Sequence, residues 1–323
     1  MQCNICNGLM GANVCTNRIF GDSRYIFRCD HCDNFQMVPV PSKSVLDEYY
    51  RNTYYSIGYS NSFFSPMSIM KNVYANMRAA SQYAFIKKNT NLSQGSLVVE
   101  LGCSSGNLLS IFRRNDYRVI GVELDNYKVQ NAIRYSGLEV LQCSVEDALD
   151  MLDEKVDLFI FSHVLEHILE PKTILKKCND LLVRGGYVYI EFPNSYLGKP
   201  TGKAWDEFKT ILLESEHINN FSTKSISYLL SSCGFDVPVK YVFLSQKTAP
   251  ILKKAGIDIK VDHILKKKKD RIKMYIYLLI NTLYLAFLYT NGIDTIEKKE
   301  RNKRWAGTNE WLRIIAIKER DCE

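Results

Sequence analysis

Apolar residues recur along this chain with two periods, and the switch between them marks out the elements. From Ser96 onward, short continuous apolar runs alternate with amphipathic stretches of helical period. "SLVVELGC" reads as a buried strand and "NLLSIFRRN" as the helix behind it; "YRVIGVELD" is a second strand, residues 126–135 a second helix, and "GLEVLQCSVED" a third strand. "VDLFIFSHVLEHI" begins as a fourth strand, "PKTILKKCNDLL" is a helix closed by Gly185 and Gly186, and "YVYIEFPN" is a fifth strand. This alternation predicts an α/β fold, a Rossmann-like doubly wound parallel sheet with helices on both faces. Two late strands follow, "VKYVFLSQ" and "EWLRIIAIKE". Upstream, Met67, Met70, Tyr74, Met77, Ser81 and Ala84 form one stripe and predict a helix over residues 66–89. In "ESEHINNFS", Ser222 is placed to cap the helix "TKSISYLLSS", with Phe221 and Ile226 spaced as a hydrophobic staple.

A chain of 323 residues with 46% hydrophobic content can bury one large core and a small second unit. Its first residues lack the basic start and apolar run of an export signal, so a reducing, cytoplasmic setting is expected. There, clustered cysteines are metal ligands rather than disulfides. Cys3-x-x-Cys6 and Cys29-x-x-Cys32 form two knuckles whose four thiolates satisfy tetrahedral Zn2+ with no open position. Such a metal is structural, and it folds a small N-terminal zinc-ribbon lobe that has little core of its own.

The net charge of +7 is local: residues 253–273 hold nine basic and three acidic side chains. The uncharged, tyrosine-rich stretch over 274–293 comes next. If the two late strands share one sheet, this stretch does not span a bilayer. It is then a helix buried against the core or a second subunit, or, with the lysines, a peripheral contact through 253–293 with the anionic inner face of a membrane.

In "VVELGCSSGNLL", glycines occupy the turn from a strand into a helix, where a missing side chain lets a ligand approach the backbone. Glu123 ends the next strand, where a carboxylate accepts both hydroxyls of a ribose. A dinucleotide and S-adenosyl-L-methionine both suit such a turn. The pattern of Glu100, Gly102 and Gly106, with Ser104 where a middle glycine is common, resembles the first motif of the class I S-adenosylmethionine-dependent methyltransferases. That resemblance implies an antiparallel last strand and S-adenosyl-L-methionine as cofactor. It implies that Glu100, Gly102, Cys103, Ser104 and Gly106 line the amino-acid end and that Glu123 and Leu124 bind the ribose. Ser144, Val145 and Glu146 would flank the adenine, and Ser162 and His163, in "SHVLEH", would close over the methionine portion.

A zinc lobe, an aromatic connector and this core together resemble the sugar C-methyltransferases and related enzymes of polysaccharide gene clusters. The organisation this implies is a zinc-binding lobe (1–41), an aromatic connector and helix (42–95), a cofactor-binding core (96–247), a basic and apolar helical insertion (248–305), and the last core strand with its tail (306–323). Methyl transfer from a sulfonium needs a positioned acceptor and a base poised near neutral pH, which favours histidine. By resemblance, Glu216 and His217 match a Glu-His pair whose histidine is the base, and Tyr54 or Tyr55 a substrate-facing tyrosine of the connector. His167 is a further catalytic candidate, one helical turn from His163.

The expected acceptor is a sugar, nucleotide sugar or glycan precursor, methylated at carbon or oxygen by a monomer or homodimer. Two alternatives stand beside it. One is an RNA methyltransferase that holds its substrate with the zinc ribbon, against which residues 1–41 offer only Arg18, Arg24 and Arg28 as cations besides His31. The other is a small-molecule O-methyltransferase of the quinone-biosynthesis type.

Overall fold

A computed structural model describes residues 1–17, 19–20, 23–50, 66–193, 216–237, 242–245 and 310–319. Tyr54, Tyr55, the basic run and the 248–305 insertion lie outside the described residues. Among the described residues, no helix is long and apolar enough to cross a membrane.

The main sheet is built as the apolar pattern predicts. Strand β4 (Leu97–Leu101) is buried at every position and lies between β5 (Arg118–Val122) and β7 (Val156–Ser162), parallel to both. Short β6 (Val140–Leu141) extends the sheet beyond β5, and β8 (Leu182–Pro193) extends it beyond β7, again in parallel. Strand β12 (Glu310–Lys318) runs antiparallel to β8, and β10 (Phe235–Asp236) and β11 (Val242–Ser245) both pair with β12. The chain leaves β4 toward β5 and returns to its other side as β7, so the carboxyl ends of β4 and β7 form the switch point where such sheets bind ligands.

Helices α3 (Asn107–Arg114), α4 (Asn126–Ser136) and α6 (Pro171–Leu181) appear where expected. Two details differ. Helix α6 ends before the glycines; Gly185 and Gly186 lie inside β8, whose chain starts directly at Leu182. Helix α5 (Val145–Met151) occupies part of what reads as the third strand, because Ser144 caps it by accepting from the Asp147 N–H.

Two further elements frame the sheet. Helix α2 (Pro66–Asn89) has the expected bounds; of the predicted stripe, the Met67, Met70, Tyr74 and Met77 side chains lie outside the described residues, and Ser81 and Ala84 are half-buried beside the buried Ala79, Gln82, Phe85 and Ile86. Helix α7 (Thr223–Ser232) begins at Ser222 in a capping box with Ser225, and Phe221 and Ile226 are both buried.

The N-terminal lobe is an antiparallel sheet of β1 (Met10–Asn17), β2 (Arg24–Cys29) and β3 (Phe35–Val38), followed by the short helix α1 (Lys43–Glu48). Its fourth strand, β9 (Asn219–Asn220), comes from the core and pairs with Phe35 and Gln36. The lobe and the core share one apolar cluster, in which Cys3, Ile5, Cys29 and Cys32 pack with Ile168, Phe221 and Ile226.

One buried ionic group joins α2, β8 and β12. Glu191, fully buried, receives Arg78 on one carboxylate oxygen at 2.7 Å and Arg313 on the other at 2.7 Å, with Tyr189 and Gln82 also donating. Glu191→Ala removes the carboxylate that neutralises the buried Arg313 guanidinium. It should cost about 3–5 kcal/mol in urea unfolding, and Glu191→Gln measurably less.

Candidate active site

At the mouth of β4 the chain turns through three left-handed residues, Gly102 (φ 76°), Ser104 (φ 51°) and Gly106 (φ 73°). A Cβ on Gly102 would strike Val164, and one on Gly106 would strike Leu138, so both positions need glycine for space as well as conformation. Ser104 holds the same conformation with a side chain, tied by its N–H to Glu123 at 2.9 Å. Glu123 also accepts the Leu124 and Asp125 N–H groups at 2.8 and 2.9 Å, which fixes its carboxylate at the end of β5. Burial pushes the Glu123 carboxyl above its usual range.

Glu100 is buried at the same turn, and its Oε2 has no hydrogen-bond partner among the described residues. Burial raises it to about 8, offset in part by Arg78. A buried carboxyl whose ionisation a cation would favour, beside a turn with a glycine at each end, suits a cationic ligand, so this turn fits the ammonium end of S-adenosyl-L-methionine. The buried Cys103 side chain packs against Gly121, with its thiol 3.7 Å from the Ser104 carbonyl in the turn. Ser144 is occupied as the cap of α5, with Val145 and Glu146 in the first turn of that helix.

Beyond β7, His163 adopts φ 57° and its N–H donates to the Glu191 carbonyl at 2.8 Å. Its ring lies between two carboxylates, 3.4 Å from Glu166 and 3.5 Å from Glu191. Burial alone would lower its pKa, but these neighbours raise it above the ordinary histidine value. Ser162 accepts from Arg78 at 3.1 Å and Gln82 at 2.8 Å. Neither α2 residue follows from the apolar stripe, and both reach the switch point of the sheet.

A second group of side chains forms where the lobe meets the core. Glu166, His167 and His217 each place a donor atom within 4.8 Å of the others. The two imidazoles meet edge to face with ring centres 4.8 Å apart. Tyr50, at the end of α1, hydrogen-bonds His167 Nδ1 at 2.7 Å. His217 Nδ1 lies 3.2 Å from Asn220 Oδ1. Glu216 borders the same cluster and, after burial, is the second cause that raises Tyr49. The structure therefore brings the predicted Glu216, His217 and His167 together and adds Tyr50 and Glu166.

Backbone bonds hold this junction. The Ile218 N–H donates to the Glu166 carbonyl at 3.0 Å, and the Met37 N–H to the Ile218 carbonyl at 2.9 Å. Buried Asn219 accepts from Asn34 at 3.0 Å and donates to the Ile168 carbonyl at 3.3 Å.

The four predicted cysteines converge, with Cys3 and Cys32 sulfurs 3.7 Å apart and Cys6 and Cys29 sulfurs 3.5 Å apart. The N–H groups of Ile5, Gly8 and Cys32 point at Cys3, Cys6 and Cys29 sulfurs respectively, which stabilises thiolates. The donor set fits a closed tetrahedral zinc site.

The ionisation of the histidine cluster predicts an acid-sensitive fold. Burial lowers His167 to about 4, so its contribution is present above the unfolded value near 6.5 and is lost as pH falls from 6.5 toward 4. Burial opposes the ionisation of Glu166, but His163, His167 and His217 hold it at about 2, so that contribution is lost only further into acid. His163 acts oppositely, stabilising below its unfolded value and losing this as pH rises through its folded one. Unfolding free energies measured between pH 7 and 4 should fall by up to ~1.4 kcal/mol per pH unit for the His167 proton, and His167→Gln should flatten that slope.

Comparison with known proteins places this geometry. The methyltransferase domain family matches residues 72–238, just over half of the chain. The ubiquinone biosynthesis O-methyltransferase of Dinoroseobacter shibae is 28% identical over 130 residues, covering 38% of this chain and 52% of that protein. The Pasteurella multocida protein of the same name is 26% identical over 136 residues, covering 38% and 54%. The chain thus spans about half the length of the curated relatives it matches. A solved structure of a SAM-dependent methyltransferase from Archaeoglobus fulgidus aligns over 76% of this chain and 94% of its own, at 18% identity and a TM-score of 0.48. With its α/β sheet ending in an antiparallel strand and its glycine turn at the switch point, the chain belongs to the methyltransferase domain family.

Proposed function

We propose that the protein is an S-adenosyl-L-methionine-dependent methyltransferase acting on a sugar, nucleotide sugar or glycan precursor, with a structural zinc in its N-terminal lobe. The observation that carries the acceptor-side reading is the position of His217. Strand β9, which completes the sheet of the lobe, sets this histidine against His167 beyond the mouth of β7. That arrangement agrees with the Glu-His pair of the sugar C-methyltransferases.

The bound cofactor supplies a methyl group on a sulfonium, whose departure needs no acid. Glu100 would hold the ammonium end, Glu123 would accept the ribose hydroxyls, and the Gly102–Gly106 turn would let the cofactor approach the backbone. Asn220 Oδ1 accepts a hydrogen bond from His217 Nδ1–H, which leaves Nε2 as the base. His167, kept neutral by burial, adds no positive charge that would disfavour proton uptake by its neighbour. The cysteine lobe supplies β3, against which the His217 segment is paired.

A quinone-type O-methylation is the second reading, favoured by the curated relatives named ubiquinone biosynthesis O-methyltransferase.

Methyl-labelled S-adenosylmethionine, offered with nucleotide sugars, 3,4-dihydroxybenzoate and total RNA, separates these readings. Label should enter the sugars. Entry into the dihydroxybenzoate alone favours the quinone type, and entry into RNA alone removes both. His217→Ala should lower kcat about 100-fold or more while calorimetric affinity for the cofactor stays within about twofold.

For the lobe, elemental analysis should find one zinc per chain. Chelation or Cys29→Ser should release it and expose the β3–β9 seam to hydrogen exchange, and a metal-free protein with a protected seam would remove the structural role.

A further inference from the structure

The carboxylate of Glu123 has less capacity left for a ligand than its place at the end of β5 suggests. Two oxygens give a carboxylate about four lone-pair positions. Oε1 accepts the Leu124 N–H at 2.8 Å and the Asp125 N–H at 2.9 Å, which fills it. Oε2 accepts the Ser104 N–H at 2.9 Å and keeps a single position. A ribose offers two hydroxyl donors, so one of them needs another acceptor. Ser104 stands beside the position that remains. Its N–H is engaged on Glu123 and its carbonyl receives the Cys103 thiol at 3.7 Å, but its hydroxyl makes no hydrogen bond among the described residues. The residue is half-buried, and its backbone is left-handed at φ 51°, a conformation that glycine holds without strain and serine does not. Local stability therefore gives no reason for a side chain here, and an outlier of this kind at a binding turn points to a role for the group that causes it.

We infer that Glu123 and Ser104 divide the ribose of the cofactor between them, one hydroxyl donating to Glu123 Oε2 and the other to Ser104 Oγ. The spacing allows it. Covalent geometry keeps Oγ within about 4 Å of the Ser104 nitrogen, which itself lies 2.9 Å from Oε2, so the two acceptors are at most about 7 Å apart. Two adjacent hydroxyls, each reaching its acceptor over about 2.7 Å, bridge up to about 8 Å. Of the three left-handed residues in the turn, Gly102 and Gly106 have no room for a Cβ, so Ser104 is where this turn can carry a side-chain ligand. Its own N–H bond to Glu123 holds the two acceptors in a fixed relation. This division rests on the cofactor named above and is independent of the methyl acceptor. It departs from the expectation that Glu123 takes both hydroxyls alone.

Calorimetry with S-adenosylhomocysteine and its 2′-deoxy and 3′-deoxy analogues tests the division. In the wild type each deletion should weaken binding about tenfold. Ser104→Ala keeps the strained backbone and Ser104→Gly relieves it. Both should weaken S-adenosylhomocysteine by about three- to tenfold, and both should erase the penalty of one deoxy analogue while leaving that of the other. Unfolding in urea separates the hydroxyl from the backbone: Ser104→Gly should unfold at the urea concentration of the wild type or a higher one, in spite of its weaker binding. Unchanged affinity in both variants, survival or loss of both deoxy penalties together, or weaker binding confined to a Ser104→Gly protein that is also less stable would each overturn the inference. A wild type that binds none of the three ligands would remove the cofactor reading and the division with it. Tight binding with no deoxy penalty would remove the division alone.

Discussion

The buried carboxylate of Glu191 is the constraint on which the assembly of the core depends. A charge in a site with no water must be matched where it stands, and each partner of Glu191 comes from a different part of the chain. Arg313 lies directly across the β8–β12 ladder from it, and Arg78 and Gln82 reach it from α2. A slip of one residue in β12 would turn Arg313 to the opposite face of the sheet, so the ion pair sets the register of the last strand as strongly as the apolar residues around it do. The partners of Glu191 also include the His163 ring, which carries the same constraint from the core to the segment that closes the switch point.

The histidine cluster depends on a second junction, made largely of backbone. Strand β9 belongs to the core by sequence and to the lobe by pairing, and its two residues lie just after His217. Asn34 follows the second cysteine knuckle and donates to Asn219, which in turn holds the Ile168 carbonyl beyond the short turn over Leu165–His167. Any change in the knuckle therefore reaches both histidines through hydrogen bonds that are buried and hard to replace. A lobe this small has few apolar residues of its own, and sharing one cluster with Phe221 and Ile226 gives it a core.

The sheet, the glycine turn and the cysteine knuckles were legible in the sequence because each follows from local chemistry: apolar runs, left-handed backbone and paired ligand spacing. Helix α5 was legible too, through the Ser144-x-x-Asp147 cap, but the apolar run before it favoured a longer strand. Gly185 and Gly186 suggest a helix end because glycine commonly follows one, yet here they lie inside β8, and only Gly185 needs its left-handed freedom (φ 75°). The inner stripe of α2 was missed for a different reason. Gln82 is polar and Arg78 charged, and a periodicity of apolar residues assigns such positions to solvent unless a buried counter-charge is already known. Glu191 and Arg313 escaped notice in the same way. They read as the polar members of strands, and their pairing exists only in three dimensions.

The histidine cluster shows why local reading found residues and missed their arrangement. His167 and Glu166 sit in one segment, Tyr50 lies more than a hundred positions before them, and His217 some fifty after. What relates them is three-dimensional: burial lowers His167, and the histidines around Glu166 hold it at about 2. Burial opposes both the charge on Glu166 and a charge on His167. His163 resolves the conflict, since its proton, favoured by the carboxylates on either side, is the counter-charge Glu166 requires. Glu191 helps to hold that proton on His163, so the ionic centre of the core also supports the charge on Glu166. The electrostatics of the histidine cluster are thus tied to the interior of the sheet.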